Sequence, residues 1–273
     1  MALIRLNTRS LPDDAVTGAK IENNPTIAGN LTAAQKLGVL GTNDLGLGVH
    51  IKEADSGASS VSTDADQLVI ENSGESGITL LAGTSSASRL AFGDSGNSNI
   101  GMVYYNHASD FMHFSTNDSV KMKIDSTGIV TKPFQPSFST RLSGTQSNLA
   151  VGSGQTIQFN QEYFDIGGNF NTSNYTFTAP VTGKYQLNAR VYLNQIDTAS
   201  AYYIFTITTS NRTYVTIIDP NFSADVDYFS FNTSVLADMD LNDTAYVTVH
   251  QNNGTAQTDV TGADSGFNGI LIG

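Results

Sequence analysis

The chain contains no cysteine and no tryptophan, and only 14% of its 273 residues are charged. Without cysteine, a disulfide framework, a zinc–thiolate site and a cysteine nucleophile are all excluded. Lys and Arg total 13 against 25 Asp and Glu, so the formal net charge is −12. A general basic surface, which nucleic-acid binding through phosphate contacts requires, is therefore not expected.

The sequence also lacks a long apolar run. No segment approaches the ~18 consecutive apolar residues that a transmembrane helix needs, and we expect no membrane insertion. The first ten residues show no apolar core followed by a cleavage site, so we expect no secretory signal. A protein of this kind that works outside a cell is then expected to leave it by another route, such as lysis.

What the chain does contain, in its C-terminal half, is clean period-two alternation of apolar and polar residues. Such alternation predicts half-buried strands of antiparallel sheets. The four clearest segments are 184–193, 203–207, 228–236 and 244–250. Several strands of this kind within about 140 residues favour one β-sandwich or jelly roll. We assign this head domain to residues 133–273, after the boundary marked by Pro133 and Pro136.

The middle region, residues 61–132, has shorter apolar runs separated by turn-rich pieces such as Asn-Ser-Gly and Ser-Thr-Gly. Short strands and turns at this spacing indicate β-structure. Because strands this short bury little surface within one chain, we predict a β-rich intertwined shaft in which several identical chains share a narrow core.

The first region, residues 1–60, lacks the apolar content for a core of its own. One stretch, 30–40, is predicted to form a short helix with Asn30 as its N-cap. We interpret the region as an extended arm that becomes ordered on a partner. Its candidate anchor residues are the apolar ones spaced along it: Leu3, Ile4, Leu6, Leu11, Val16 and Ile21.

The head carries a set of spaced positions that resembles a known family. They are Phe159, Asp165, Phe170, Phe177 and Gly183-Lys184-Tyr185, followed near the end of the chain by Phe267 within Ser265–Leu271. This spacing resembles the globular head of complement component 1q, which shares the tumour-necrosis-factor-like jelly roll. The resemblance implies a trimer of jelly rolls used for binding, no enzymatic activity, and trimer or core roles for Phe159, Phe170, Phe177, Tyr185 and Phe267.

Other segments resemble tail-fibre-like proteins of marine tailed phages. They include Asp66–Gly74, Met122–Gly128 and the opening Asn7–Thr17. The resemblance implies a virion protein, made in the host cytoplasm, with an N-terminal anchor, a trimeric shaft and a C-terminal head.

Two candidate metal sites follow from the residues. Asp225, Asp227, Asp238, Asp240 and Asp243 offer the oxygen ligands that calcium prefers, although their spacing is not that of an EF-hand loop and turn residues are the simpler interpretation. His113 is a second candidate, because one histidine on a three-fold axis supplies three ligands; packing beside a shaft core is the alternative. No other cofactor is expected.

We therefore predict a homotrimeric phage fibre whose head binds a host surface receptor or glycan during adsorption. The polar loops 194–200, 219–227 and 251–262 are the expected contact tips, since loops on a rigid scaffold commonly bind ligands. Three alternatives stay open: a head-attached capsid fibre or knob that only decorates the particle, a bacterial surface adhesin, and a glycan-degrading fibre enzyme.

Overall fold

The structure is a computed structural model that describes residues 49–262 and 264–273. Over these residues the regular secondary structure consists of β-strands, without a helix, which confirms the predicted fold class. No helix long and apolar enough to cross a bilayer occurs among them. The predicted helix at 30–40 and the six candidate anchor residues lie outside the described residues.

The chain divides into two compact units, which meet in the sequence at Thr79 and Leu80. The boundaries expected from the sequence, at 60 and 132, stay predictions. In the first unit, β1 (Val49–Lys52) pairs in parallel with β2 (Leu68–Glu71). The Glu71 carboxylate accepts hydrogen bonds from the backbone N–H and the hydroxyl of Ser56, and these bonds lower its pKa.

The second unit begins with a sheet of five short strands, each hydrogen-bonded to the next along the chain. They are β3 (Ala87–Phe92), β4 (Gly101–Asn106), β5 (Phe111–Thr116), β6 (Ser119–Ile124) and β7 (Val130–Thr131). All pairs are antiparallel. In the single chain described, the backbone groups of this meander find their partners within that chain. The expectation of a shaft intertwined between several chains stays a prediction.

The head is built from two further sheets. The first sheet has the order β10-β8-β19-β13-β16, with β18 pairing β13; the second has the order β11-β12-β17-β14-β15, with β9 pairing β17. The strands are β8 (Ser137–Arg141), β9 (Gly154–Thr156), β10 (Gln161–Ile166), β11 (Phe170–Asn171), β12 (Thr176–Thr178), β13 (Gly183–Ile196), β14 (Tyr202–Thr209), β15 (Thr213–Ile218), β16 (Val226–Met239), β17 (Thr244–Asn252), β18 (Asp259–Val260) and β19 (Gly266–Leu271).

One hydrophobic core lies between the two sheets of the head. In β13 the buried side chains alternate from Tyr185 to Leu193, and Ala245, Val247 and Val249 in β17 are buried in the same way. Tyr203, Phe205 and Ile207 are fully buried in β14. The alternation predicted from the sequence is thus confirmed in these three strands, and the head is a jelly-roll sandwich.

Close packing in this core requires a glycine at position 269. A Cβ added to Gly269 would come within 2.7 Å of Leu187 Cδ2 and of Phe138 Cε1. Both neighbours belong to the buried core, where side chains have little room to move.

We therefore expect Gly269→Ala to lower the free energy of unfolding by about 1–3 kcal/mol, because it overpacks the core. The matched control is Gly144→Ala, since a Cβ at Gly144 meets no atom within 4 Å. Denaturant unfolding of the full chain measures both. Equal stability of the two variants would contradict this account of the core.

Candidate binding end of the jelly roll

The head has two distinct ends, and the chain comes in at one of them. The first residue of β8, Ser137, pairs with Ile270 near the end of β19, and Tyr185 near the start of β13 pairs with Leu271. We call this the proximal end. Because β13 is 14 residues long, the opposite end lies roughly 45 Å away along the strand.

Three loops meet at that opposite end, which we call the loop end. They are residues 197–201 after β13, 219–225 after β15 and 253–258 after β17. The register places them together, since Tyr203 pairs with both Ile218 and Gln251. They overlap the three segments expected from the sequence to contact a receptor, 194–200, 219–227 and 251–262.

A buried carboxylate joins two of these loops. Asp197 is 2% exposed. Its Oδ1 accepts the backbone N–H of Ala199 at 2.8 Å, and its Oδ2 accepts those of Thr255 and Ala256 at 2.5 and 2.7 Å. Burial alone would raise the pKa of Asp197, but the N–H donors of Ala256, Ala199 and Thr255 outweigh it and hold that pKa below its ordinary value.

The turn after β17 is shaped around the same carboxylate. Gly254 has a φ of +122°, and a Cβ there would lie within 2.8 Å of Gln251 Nε2 and 3.1 Å of Ser200 Oγ. The Gln251 amide donates to the Ala256 carbonyl and accepts the N–H of Thr258. The loop backbone is therefore fixed from inside, while the outer edge of the loops faces solvent.

The third loop joins the first through Asp225. Its Oδ1 accepts the backbone N–H of Thr198 at 2.8 Å and the Thr198 hydroxyl at 2.7 Å. In the same loop as Asp225, Phe222 is 39% exposed. The loop end thus combines polar groups with an exposed aromatic ring, a combination that suits a binding surface.

The structure separates the aspartates proposed as calcium ligands. Asp225 and Asp227 lie at the loop end, whereas Asp238, Asp240 and Asp243 lie at the proximal end of the same strand or just beyond it. Asp238 pairs with Lys184 at 2.5 Å, and Asp243 accepts hydrogen bonds from Asn211 and from the N–H of Asp240. The two groups do not share an ion within one chain. Over the described ranges, no cluster of three or more His, Asp or Glu is placed to hold a metal.

His113 lies in the five-stranded sheet, away from the loop end. Its ring stacks on Tyr104, with 4.4 Å between the ring centres. Burial lowers its pKa, and the charge of Lys123 lowers it further, so the ring is neutral near neutral pH. Within the described residues its Nε2 has no hydrogen-bond partner.

The positions that carry the family resemblance have structural explanations. Phe159, Phe170, Phe177, Tyr185 and Phe267 all lie in the buried core, and Phe138 packs among them. Asp165 accepts the N–H of Phe170, and the hydroxyl of Tyr185 donates to the Val181 carbonyl at 2.8 Å. These groups fix the core and the turns next to it; they are not part of the loop end.

The outer face of the first sheet is a second surface with distinct chemistry. Amides and hydroxyls form a network in which Asn188 bonds Asn268, Ser234 and Gln186. They line a shallow cavity of about 260 Å³. Towards the loop end, Tyr192 and Tyr228 stack with 5.7 Å between ring centres.

The head is a two-sheet jelly roll with three loops that converge at one end. Residues 137–272 match the family model of the C1q domain. C1q and TNF-like domains are typically non-enzymatic binding modules and are often trimeric.

Several solved structures are similar to this chain. The globular domain of zebrafish complement 1qA protein is 16% identical, with a TM-score of 0.39, covering 51% of this chain and 98% of that one. Murine APRIL is 11% identical, with a TM-score of 0.39 and coverages of 50% and 99%. Eiger TNF from S. frugiperda is 11% identical, with a TM-score of 0.35 and coverages of 52% and 94%. No curated protein matches the sequence significantly.

We expect Asp197→Asn to lower the free energy of unfolding by roughly 2 kcal/mol at neutral pH, because one amide oxygen replaces a carboxylate that accepts several N–H groups. Since the folded-state pKa is depressed, the carboxylate stabilises the fold above the ordinary Asp pKa of ~3.9. That contribution is lost as pH falls through the folded-state pKa, so parent and variant should converge in acid.

Urea unfolding of the full chain at neutral and acid pH measures this difference. The control is Asp225→Asn, which removes an exposed acceptor and should change stability by no more than about 0.5 kcal/mol. A stability gap between parent and Asp197→Asn that does not shrink in acid would contradict the assigned role.

Proposed function

We propose that the protein is a homotrimeric virion fibre of a tailed phage and that its C1q head binds the host cell surface through the loop end. The observation on which this rests is the direction in which the head points relative to the chain that precedes it. The preceding chain comes in at the proximal end, and the loops fixed by Asp197 lie at the other. A head attached to a particle through its N-terminal side therefore presents these loops outward.

Self-association is supported by apolar side chains on the outer face of the first sheet. One register row across this face holds Ile166, Ile270 and Leu236, which are 36%, 43% and 56% exposed. Phe164, on the next row, is 50% exposed. Ser137 and Gln186 alternate with these apolar residues along the row. Exposed apolar side chains set among polar groups suit a contact between heads, in line with the trimers that C1q and TNF-like domains form.

Trimerisation also explains how a small loop surface can attach a particle. Three identical loop ends point in one direction, and several fibres on one virion multiply the contacts. Linked weak contacts give an avidity that exceeds the single-site affinity by orders of magnitude. The chain is acidic, with a formal net charge of −12, so attraction to an anionic envelope has to be local or bridged by cations.

Antibody labelling of purified particles tests the location. We expect an antibody against this chain to label appendages of the tail. Label confined to the capsid would favour the decorating knob, and label absent from the particle would overturn the virion assignment. Release of reducing sugars from host glycans would instead favour the fibre enzyme.

A matched pair of variants tests the binding end. We expect Phe222→Ala to reduce binding of the full chain to host cells about tenfold or more, because each of three sites loses an exposed aromatic contact and the losses combine. Leu241→Ala is the control, since this side chain is 56% exposed in the turn at the proximal end. Flow cytometry with labelled protein measures both.

The pair separates the proposal from its alternatives. If both variants bind as the parent does, another surface binds the host; if the parent itself does not bind at micromolar concentration, a decorating role is favoured.

A further inference from the structure

The five-stranded sheet β3–β7 has two faces of different chemistry. Residues paired across antiparallel strands share a face, so the register assigns each side chain. One face, which we call the apolar face, carries Leu90, Phe92, Val103, Tyr105, Met112, Phe114, Met122, Ile124 and Val130. No charged side chain occupies these in-register positions. The opposite face carries Arg89, Tyr104, Phe111, His113 and Lys123.

On the opposite face, cationic side chains lie over the aromatic rings. Arg89 lies over the ring of Tyr104 at 5.3 Å, and Lys123 lies over Phe111 at 4.3 Å. Long cationic side chains shield apolar surface with their stems and keep their charge in water. This face is therefore suited to solvent as it stands.

The apolar face has no such cationic cover among the described residues; at its β3 edge the Ser88 hydroxyl, in register with Tyr105, donates to the Leu80 carbonyl at 2.9 Å. Leu90 and Phe92 are 56% and 55% exposed, Val130 is 50% exposed and Phe114 is 38% exposed. A sheet needs its apolar face covered by a second layer, and the head achieves this with two sheets. The five-stranded sheet has no second sheet packed on this face among the described residues.

The size of the face indicates what covers it. Four strands of six residues and one of two cover roughly 400 Å². A stable interface with a separate protein buries about 800 Å² on each partner, so this face is too small to hold a foreign partner by itself. It suffices as one part of a longer contact that continues from a neighbouring interface.

That neighbouring interface is the contact between heads, and on this point the inference rests on the proposed trimer. Only residues 132–136 join the sheet to the head. Lys121 lies over the ring of Phe134 at 4.0 Å, and Gln135 donates to the carbonyl of Leu271 at 2.6 Å. When three heads associate, this short connection holds three sheets close together.

We propose that the apolar face packs against the same face of two other copies of this chain, so that three complete sheets form a three-sided prism around one axis. The in-register positions of these faces are uncharged, so their centres meet without like-charge repulsion. The carboxylates of Asp110 and Asp125 lie at one edge of the face, beside Tyr105. Each chain keeps its own strand pairing, and the chains share only side-chain packing. His113 then lies on the outside of the prism, away from the axis.

The absence of cysteine allows a direct test, since any introduced thiol is unique in its chain. Leu90→Cys and Ala91→Cys are adjacent in β3 but point to opposite faces. In the full-length trimer we expect the Leu90→Cys thiol to react with maleimide about tenfold or more slowly than the Ala91→Cys thiol, because a covered group reacts only after local opening.

Phe114→Cys on the central strand adds a second readout. Under mild oxidation it should form inter-chain disulfide dimers on a non-reducing gel, whereas His113→Cys on the opposite face should stay monomeric on the same gel. Sedimentation of each variant confirms that it is still trimeric. Circular dichroism like that of the parent excludes misfolding.

The outcomes separate this inference from the proposed function. A trimer in which both β3 thiols react equally fast and Phe114→Cys does not cross-link overturns the prism and leaves the fibre intact. Protection of the Leu90→Cys thiol without inter-chain cross-links means that other residues of the same chain cover the face, which also overturns the prism. A parent chain that sediments as a monomer overturns both proposals.

Discussion

A sheet with an apolar face must have that face covered, and this constraint organises the chain from Ala87 onward. The head meets it within one chain, since the side chains of β13 and β16 pack against those of β14 and β17. The meander β3–β7 satisfies its backbone hydrogen bonds within one chain but leaves Leu90, Phe92 and Phe114 in solvent. The same requirement is thus met within the head, whereas the described residues of the meander leave an apolar face exposed.

The sequence predicts the head well because its signals are local and repeated. Period-two alternation in β13, β14 and β17 identifies buried faces directly, and the spacing from Phe159 to Tyr185 identifies the jelly roll. The meander was harder to foresee, because strands of six residues give no sign of whether they pair within a chain or between chains. Only the register from Leu90 to Met122 shows that consecutive strands pair and that their apolar residues share a face.

The loop end was predictable in outline but not in mechanism. Polar segments between long strands indicate loops, and the topology brings three of them together. The residue that joins two of them, Asp197, accepts the backbone N–H groups of Thr255 and Ala256, nearly sixty residues later. The sequence around Asp197 does not distinguish it from an ordinary turn aspartate. The sequence instead predicts Asp225 and Asp227, at the same end of the head, as candidate calcium ligands. Hydrogen bonds between loops that are far apart in the chain produce no periodic residue pattern from which they could be predicted.

Hydrogen bonds at the proximal end hold the first and last residues of the head domain together, and they determine where the domain can be modified. The N–H of Leu271 donates to the Pro136 carbonyl, and the N–H of Lys184 donates to the Gly273 carbonyl. The first and last residues of the domain are therefore neighbours, on the side facing away from the loops. A fluorescent or affinity label attached near Gly273 should stay clear of the loop end. For the same reason, junctions near Pro136 and Gly273 lie on one side of the domain, so the domain can be exchanged without redesign of the loop end.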